Sequence, residues 1–269
     1  IAETRRRTQL KKMAAMFIVA SIICAGAYGY WRFREPAAEI IGQDGAVAVF
    51  VPAANFVMGD DMESPLREIY LDGFYIDKYE VTLSHYAKFL KATGGATPQG
   101  WRQSNLQSAG ELPVVGVGWH EAETYCRWAG RRLPTESEWE KAAPGGDGRS
   151  YPWGSDEPAP AQANFAKSAD GPYTGGLAPV ASHAAGKSPY GVYDLAGNAS
   201  EWVLDWFAPG FGRGDVRNPK GPENGTAKVI RGGGWYDPPE RLNSSRRMHA
   251  SPATRADDLG FRCAKDFRQ

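Results

Sequence analysis

The spacing of apolar residues changes along the chain, and it predicts short strands mixed with short helices. Ala46 to Met58 carries two apolar runs separated by Pro52, which predicts two short strands. Apolar and polar residues alternate from Arg67 to Tyr79 around Asp72-Gly73, which predicts a strand, a turn and a second strand. The sequence therefore predicts several short strands between residues 46 and 79.

Three segments have apolar residues at helical spacing. The first is predicted to start at Thr82 and to end near Gly94, and the second to span His120 to Gly130. The third is predicted to start at Thr135, because Thr135 and Glu138 have the spacing of a capping box. All three helices are short.

Long irregular segments separate these elements. Residues 96–112 read as a polar loop, and residues 144–190 as a long ordered loop anchored by aromatic residues. Lys228 to Trp235 and Leu259 to Cys263 are predicted to be core strands. The chain of 269 residues holds 32 glycines, 19 prolines and 9 tryptophans, which favours loops pinned by large side chains over long helices. The sequence therefore predicts an α+β fold.

An uncharged apolar segment lies near the N-terminus, from Met13 to Trp31. Its 19 residues are long enough to span a bilayer as one transmembrane helix, and five basic residues in residues 1–12 precede it. We expect a single-pass signal anchor in the inner (cytoplasmic) membrane, with a cytoplasmic N-terminus. The competing interpretation is a cleaved signal peptide. Residues 32–45 then form a linker, and residues 46–269 a periplasmic or extracellular domain.

The predicted exported domain is mildly acidic. Residues 46–269 contain 24 basic and 27 acidic residues. Because nucleic-acid binding depends on a basic surface, this balance argues against nucleic acid as a partner.

One aromatic-rich stretch, Tyr190 to Trp206, also contains two carboxylates, Asp194 and Glu201. A carboxylate buried among aromatic residues must be paired, hydrogen-bonded or bound to a metal. Together with carbonyls of the intervening loop, these two form an all-oxygen set of the kind that calcium prefers. The alternative is that Asp194 caps a turn and Glu201 meets an arginine.

The chain resembles the formylglycine-generating enzyme (sulfatase-modifying factor) family from about Phe56 to Cys263. The resemblance implies one irregular α+β domain related to the C-type lectin fold. The motifs that carry it occur in the order found in the family: Met58-Gly59, Glu80-Val81-Thr82, Pro113-Val114, Trp119 through Cys126, Arg132-Leu133-Pro134-Thr135-Glu136, Pro152-Trp153-Gly154, Gly197-Asn198 with Glu201-Trp202, Arg231-Gly232-Gly233 and Leu259-Gly260-Phe261-Arg262.

The resemblance implies two structural calcium ions and one disulfide. One calcium site would use the side chains of Asp194 and Glu201 and two carbonyls, and the other would use two side chains and two carbonyls. The disulfide would join Cys126 to Cys263, which suits an exported domain. The remaining implied ligands are the carbonyls of Gly197 and Ala199 in the first site, and Asn164, Phe165, Asp170 and Pro172 in the second.

The chain departs from the family where the family holds copper. Two family cysteines that bind copper(I) fall on Asp237 and Leu242 here, so no copper is expected. The serine expected after the Arg-Gly-Gly motif is Gly234, and the tryptophan expected after the Gly-Asn turn is Ser200. The substrate groove is therefore predicted to differ as well.

Three functions follow from this pattern. The favoured one is a non-catalytic, membrane-anchored subunit of a bacterial membrane protein complex, of respiratory or photosynthetic class, which binds the bilayer through residues 13–31. The second is a metal-dependent oxidoreductase rebuilt around a cluster of His249 and Asp237 with Asp257 and Asp258. The third is a lectin-like receptor whose groove lies between Trp235 and residues 96–112.

Overall fold

The computed structural model describes Met13, Met16, Phe17 and residues 35–60, 64–95, 97–101, 105–166, 175–210 and 216–267. The chain divides into two compact units, Ile1–Ala37 and Ala38–Gln269, and the fold described below is that of the second unit. No helix within the described ranges is both long enough and apolar enough to cross a bilayer. The predicted anchor, residues 13–31, falls outside those ranges except for Met13, Met16 and Phe17, so it stays a prediction.

The strands in the described part of the second unit form three small sheets. The first is fully antiparallel in the order β1-β2-β5-β10, and the second is the hairpin β3-β4. The third has the order β8-β7-β6-β9, with β6 and β9 parallel. The strands are β1 Glu39–Ile41, β2 Val47–Val51, β3 Ala54–Asp60, β4 Ser64–Leu71, β5 Phe74–Asp77, β6 Ser200–Trp206, β7 Lys228–Arg231, β8 Met248–Ala250, β9 Leu259–Phe261 and β10 Ala264–Asp266.

Four α-helices lie among the described residues of the second unit. They are α1 Leu83–Thr93, α2 Asn105–Ala109, α3 Trp119–Trp128 and α4 Glu136–Ala142, with 3₁₀ turns at Ala184–Gly186 and Pro239–Arg241. Thr82 caps α1 through its side chain, and Gly94 ends the helix in the left-handed conformation. Thr135 and Glu138 form the capping box of α4. The three predicted helix starts and the α+β class are thus confirmed.

Three features differ from the sequence predictions. Residues 96–112 contain the short helix α2, so the segment is not a loop throughout. β4 and β5 flank the predicted turn but do not pair with each other, since β4 pairs with β3 and β5 lies between β2 and β10. The predicted linker, residues 32–45, contains β1, because Glu39 to Ile41 pair with β2.

Two apolar clusters form most of the core. One packs Trp139 of α4 against β2 to β5, and the other packs Tyr86 and Tyr125 against Trp202 and Phe261. The disulfide Cys126–Cys263 is formed within the second cluster and joins α3 to the segment between β9 and β10, which confirms the predicted pairing.

Candidate functional site

The Asp194–Glu201 loop enters β6 and is held against the Gly232–Gly234 turn that follows β7. Gly197 N donates to Gly232 O at 3.0 Å. Gly197 has φ +80° and lies so close to the neighbouring chain that a Cβ would come within 2.3 Å of Asn164 O. Only glycine fits this position, which explains the Gly-Asn turn in the sequence.

Glu201 is fully buried and pairs with an arginine. Its Oε1 accepts from Arg262 Nη2 and its Oε2 from Arg262 Nε, each at 2.7 Å, and Trp139 Nε1 donates to Oε2 at 2.8 Å. Both partners are buried as well. The pair connects β6 to the segment after β9 and satisfies two charges that would otherwise be costly to bury.

A third carboxylate, that of Glu80, lies beneath the same loop. Glu80 Oε1 accepts from Ala199 N at 3.1 Å and from Asn198 Nδ2 at 3.2 Å. Asn198 has φ +65° and its Oδ1 accepts from Asn164 Nδ2 at 3.0 Å. Sequence reasoning did not assign a site role to Glu80, although a charged residue between Tyr79 and Val81 was a signal of a buried carboxylate.

The charge around the loop is unbalanced, since three buried carboxylates meet one guanidinium, that of Arg262. Burial raises the pKa of Glu80 well above its usual value, and the nearby Asp194 raises it further. Burial also raises the pKa of Asp194, whose Oδ2 accepts from Ala181 N at 2.7 Å. The all-oxygen donor set and the surplus negative charge suit a divalent cation such as calcium.

Two observations bear on how such an ion would be held. Both oxygens of Glu201 already accept hydrogen bonds from Arg262, so Glu201 offers its remaining lone pairs only. Within the described ranges, no group of three or more His, Cys, Asp or Glu residues is arranged to hold a metal ion. The loop carbonyls of Gly197 and Ala199 would therefore be essential ligands.

The second expected calcium set is described only in part. Asn164 lies beside the first loop, with its carbonyl accepting from Asn198 N at 2.8 Å and its Nδ2 donating to Gly176 O at 2.9 Å. Phe165 packs on the small cluster formed by Tyr151, Ala163, Ala196 and Leu242. Asp170 and Pro172 lie outside the described residues. The structure thus brings Asn164 close to the first set.

The two positions that carry copper-binding cysteines in the family have structural roles here. Asp237 is buried, its Oδ2 accepts from Gly234 N at 2.9 Å, and its Oδ1 pairs with Arg241 at 3.0 Å. Leu242 is fully buried in the cluster with Tyr151 and Ala196. An engaged carboxylate and an apolar side chain offer no thiolate, so these residues do not fit copper(I).

Asp258 lies in the same turn region, and the sequence placed it with Asp237, Asp257 and His249 in a candidate metal cluster. Its carboxylate accepts a hydrogen bond from the Tyr236 hydroxyl, and its carbonyl accepts from Ser200 N at 2.7 Å. Burial raises the pKa of Asp258 to about 6, and the neighbouring Asp237 contributes to the rise. Its position next to Asp257 in a polar loop gave no sequence signal of this burial.

The remaining groove residues lie at separate places. Trp235 is half-buried. Its backbone N–H donates to Asn198 O at 2.8 Å, which ties it to the Asp194–Glu201 loop. His249 lies on β8 with an exposed ring stacked on Phe207 at a centroid distance of 3.8 Å. Asp237 instead contacts Gly234 and Arg241. Asp237 and His249 thus have different partners, and in the described part of the chain they do not belong to a metal-binding group of His, Cys, Asp or Glu residues.

Known proteins resemble this chain over most of its length. It is 34% identical to the formylglycine-generating enzyme of Streptomyces coelicolor, over 81% of this chain and 88% of that protein. It is 32% identical to the inactive Cα-formylglycine-generating enzyme 2 of Mus musculus, over 87% of this chain and 90% of that protein. It is also 34% identical to the serine/threonine-protein kinase pkn1 of Chlamydia caviae, but spans only 38% of that kinase.

Among solved structures, PvdO from Pseudomonas aeruginosa superposes with a TM-score of 0.72 and 28% identity, over 87% of this chain and 99% of PvdO. Residues 37–267 match the sulfatase-modifying factor enzyme 1-like domain. The chain therefore belongs to the formylglycine-generating enzyme family, as its motifs indicated.

Proposed function

We propose that this protein is a non-catalytic member of the family that serves as a membrane-anchored structural or binding subunit of a bacterial membrane protein complex. The observation that carries the proposal is the state of the two former cysteine positions. Asp237 is engaged by the Gly234 N–H and by Arg241, and Leu242 is fully buried. Thiolate-based oxidation of a substrate cysteine has no ligand for its copper at these positions.

Two further observations support the proposal that the chain keeps the family's fold but has lost the oxidation of a substrate cysteine. The loop from Asp194 to Glu201, the Cys126–Cys263 disulfide and the Arg262–Glu201 pair are all formed. A mouse relative that is named inactive shares 32% identity over 87% of this chain, so the family includes members without the activity. A disulfide is also in keeping with an exported domain, because exported compartments are oxidising.

Calcium belongs to the same proposal as a structural ion. Asp194 and Glu201 would hold it by their side chains and Gly197 and Ala199 by their carbonyls, with the buried Glu80 close by. The ion would supply positive charge and fix the loop; it would take no part in a reaction. Asn164, Phe165, Asp170 and Pro172 would hold a second ion.

A direct assay tests whether the chain lacks the ability to convert a substrate cysteine to formylglycine. The purified full chain is supplied with copper(I), oxygen and a cysteine-containing peptide, with the Streptomyces coelicolor enzyme as positive control. We expect no formylglycine from this chain and full conversion by the control. Conversion by this chain, lost in Asp237→Ala, would overturn the proposal.

Isolation from native membranes tests the subunit role. The tagged full chain is purified in mild detergent, and a variant without residues 13–31 is the matched control. We expect stoichiometric co-purifying subunits with the full chain, and loss of the protein from the membrane fraction with the control. A full chain that is recovered as a soluble monomer would contradict the anchor and the complex alike.

A further inference from the structure

A large cleft lies away from the loop and turn described above. It has a volume of about 890 Å³, and none of its lining residues belongs to the Asp194–Glu201 loop or to the turn after β7. It is bounded by the end of β4, the start of α4, the β10 end of the first sheet and residues 217–220. Its size lies within the range of roughly 300–1,000 Å³ found for small-molecule sites.

One wall of the cleft is aromatic. Phe50 packs against Phe267 with ring centroids 5.2 Å apart in an edge-on arrangement, and against Tyr75 at 5.3 Å. Phe50 and Phe267 both line the cleft and are half-buried. Half-buried rings offer apolar area that a flat or hydrocarbon ligand can cover.

Another part of the cleft lining is a segment held firmly beside β4. Tyr70 N donates to Val216 O at 2.7 Å, and Asn218 N donates to Tyr70 O at 2.8 Å. Asn218 Oδ1 also accepts from Asp72 N at 2.8 Å, with Asn218 in the left-handed conformation. This wall is therefore fixed by backbone hydrogen bonds, and it presents Arg217 and Lys220 to the cleft.

The acidic residues of the cleft are already paired, whereas one cation is not. Asp72 pairs with Arg217 at 2.5 Å, and Arg132 pairs with Glu138 at 2.7 Å and with Asp266. Lys220 is exposed, and within the described ranges no ion pair or hydrogen bond engages it. Arg217 is 62% exposed and still has N–H groups available beyond its bond to Asp72.

We propose that this cleft binds an anion that carries an apolar body, with the anionic group on Lys220 and Arg217 and the apolar part on Phe50 and Phe267. Lys220, unpaired among the described residues, and the remaining N–H groups of Arg217 suit the charged end of such an amphiphile, and the rings of Phe50 and Phe267 suit its apolar body. The charge could belong to a free carboxylate, sulfonate or phosphate, or to an anionic lipid headgroup. The proposal is independent of calcium and of the former cysteine positions.

Fluorescence titration with 8-anilinonaphthalene-1-sulfonate, an aromatic sulfonate, tests the site on the full native chain. We expect saturable binding that weakens with salt and a dissociation constant about five- to tenfold higher in Lys220→Glu, because a nearby charge is reversed. Lys187→Glu, an exposed lysine outside the cleft, is the matched control and should bind as the unmodified chain does. Circular dichroism checks that each variant is folded.

Co-sedimentation with phosphatidylcholine vesicles, with and without phosphatidylglycerol, distinguishes the sources. Binding to anionic vesicles that Lys220→Glu reduces and Lys187→Glu does not would make a lipid headgroup the ligand. If only the dye binds, and Lys220→Glu weakens that binding while Lys187→Glu does not, the ligand would be a free anion. Equal binding of both ligands by Lys220→Glu and the unmodified chain, or no saturable binding at all, would overturn the proposal.

Discussion

The carboxylate of Asp258 occupies the space that a side chain at Gly234 would need. A Cβ at Gly234 would lie 2.5 Å from Asp258 Oδ2 and 2.8 Å from Asp258 Cβ. The family's serine at this position therefore cannot coexist with Asp258 as it is placed here. The glycine and the aspartate form a matched pair in the rebuilt turn.

The first prediction follows from this relationship. Gly234→Ser should lower the free energy of unfolding by about 1–3 kcal/mol, the usual cost of overpacking a filled site. Gly146→Ser is the control, because a Cβ there meets nothing within 4 Å. In urea denaturation, Gly234→Ser combined with Asp258→Ala should lose less than the two single changes added together. Strict additivity would show that the two side chains do not compete for space.

The second prediction concerns the Arg262–Glu201 pair. Arg262→Gln leaves the carboxylate of Glu201 buried without its partner, so it should cost about 3–5 kcal/mol of unfolding free energy. Adding Glu201→Gln should recover part of the loss, because no buried charge then remains.

A surface pair is the control for that experiment. Arg127→Gln removes the exposed Glu123–Arg127 contact, where the arginine is 70% exposed, and should cost about 0.5 kcal/mol or less. Equal losses of unfolding free energy for Arg262→Gln and Arg127→Gln would mean that burial does not set the strength of the Arg262–Glu201 pair.

The third prediction concerns the disulfide. Cys126 and Cys263 are 137 residues apart, so their bond removes much freedom from the unfolded chain. Cys126→Ala with Cys263→Ala should lower the unfolding free energy by roughly 3–5 kcal/mol, measured by denaturant titration. Dithiothreitol should destabilise the unmodified chain and leave the double variant unchanged. An effect of dithiothreitol on the double variant would point to a cause other than this disulfide.

The fourth prediction is a pH dependence that arises at Asp205. Burial, together with the nearby Glu136 carboxylate, raises the pKa of Asp205 from 3.8 to about 7, while its Oδ2 accepts from Glu136 N at 2.8 Å. The folded chain thus holds this proton more tightly than the unfolded chain does. The contribution of Asp205 to stability should therefore fall as the pH rises from about 4 to about 7.

Asp205→Asn keeps an oxygen for the Glu136 N–H but no longer titrates. The unfolding free energy of the unmodified chain, measured by denaturant titration across that pH range, should decline more steeply than that of the variant. Parallel curves for the two proteins would show that Asp205 does not carry this proton.

The fifth prediction concerns calcium. Addition of calcium to chelator-treated protein should raise the melting temperature, and Asp194→Asn should reduce the rise, because it removes one of the charged ligands. Isothermal titration calorimetry measures binding directly, with magnesium as the comparison ion. Asp72→Asn, which changes a surface carboxylate far along the chain, should leave calcium binding intact. An unmodified chain that binds no calcium would remove the ion from the proposed function.

Local features of the fold were predictable where short-range chemistry decides them. The side chain of Thr135 and the carboxylate of Glu138 cap the same helix from three residues apart, and Gly94 ends α1 because it accepts a positive φ. The family motifs made the overall fold and the Cys126–Cys263 bond predictable as well.

What the sequence by itself determined is therefore the local elements, the family and the loss of both copper-binding thiols. Only the tertiary structure decided which partner each buried charge meets: Glu201 on Arg262, Glu80 beneath Asn198, and Asp258 in the space beside Gly234. The reason is physical. A cap or a turn depends on neighbours within a few residues, whereas a buried carboxylate must find its partner wherever packing brings one, and here those partners lie tens of residues away or more.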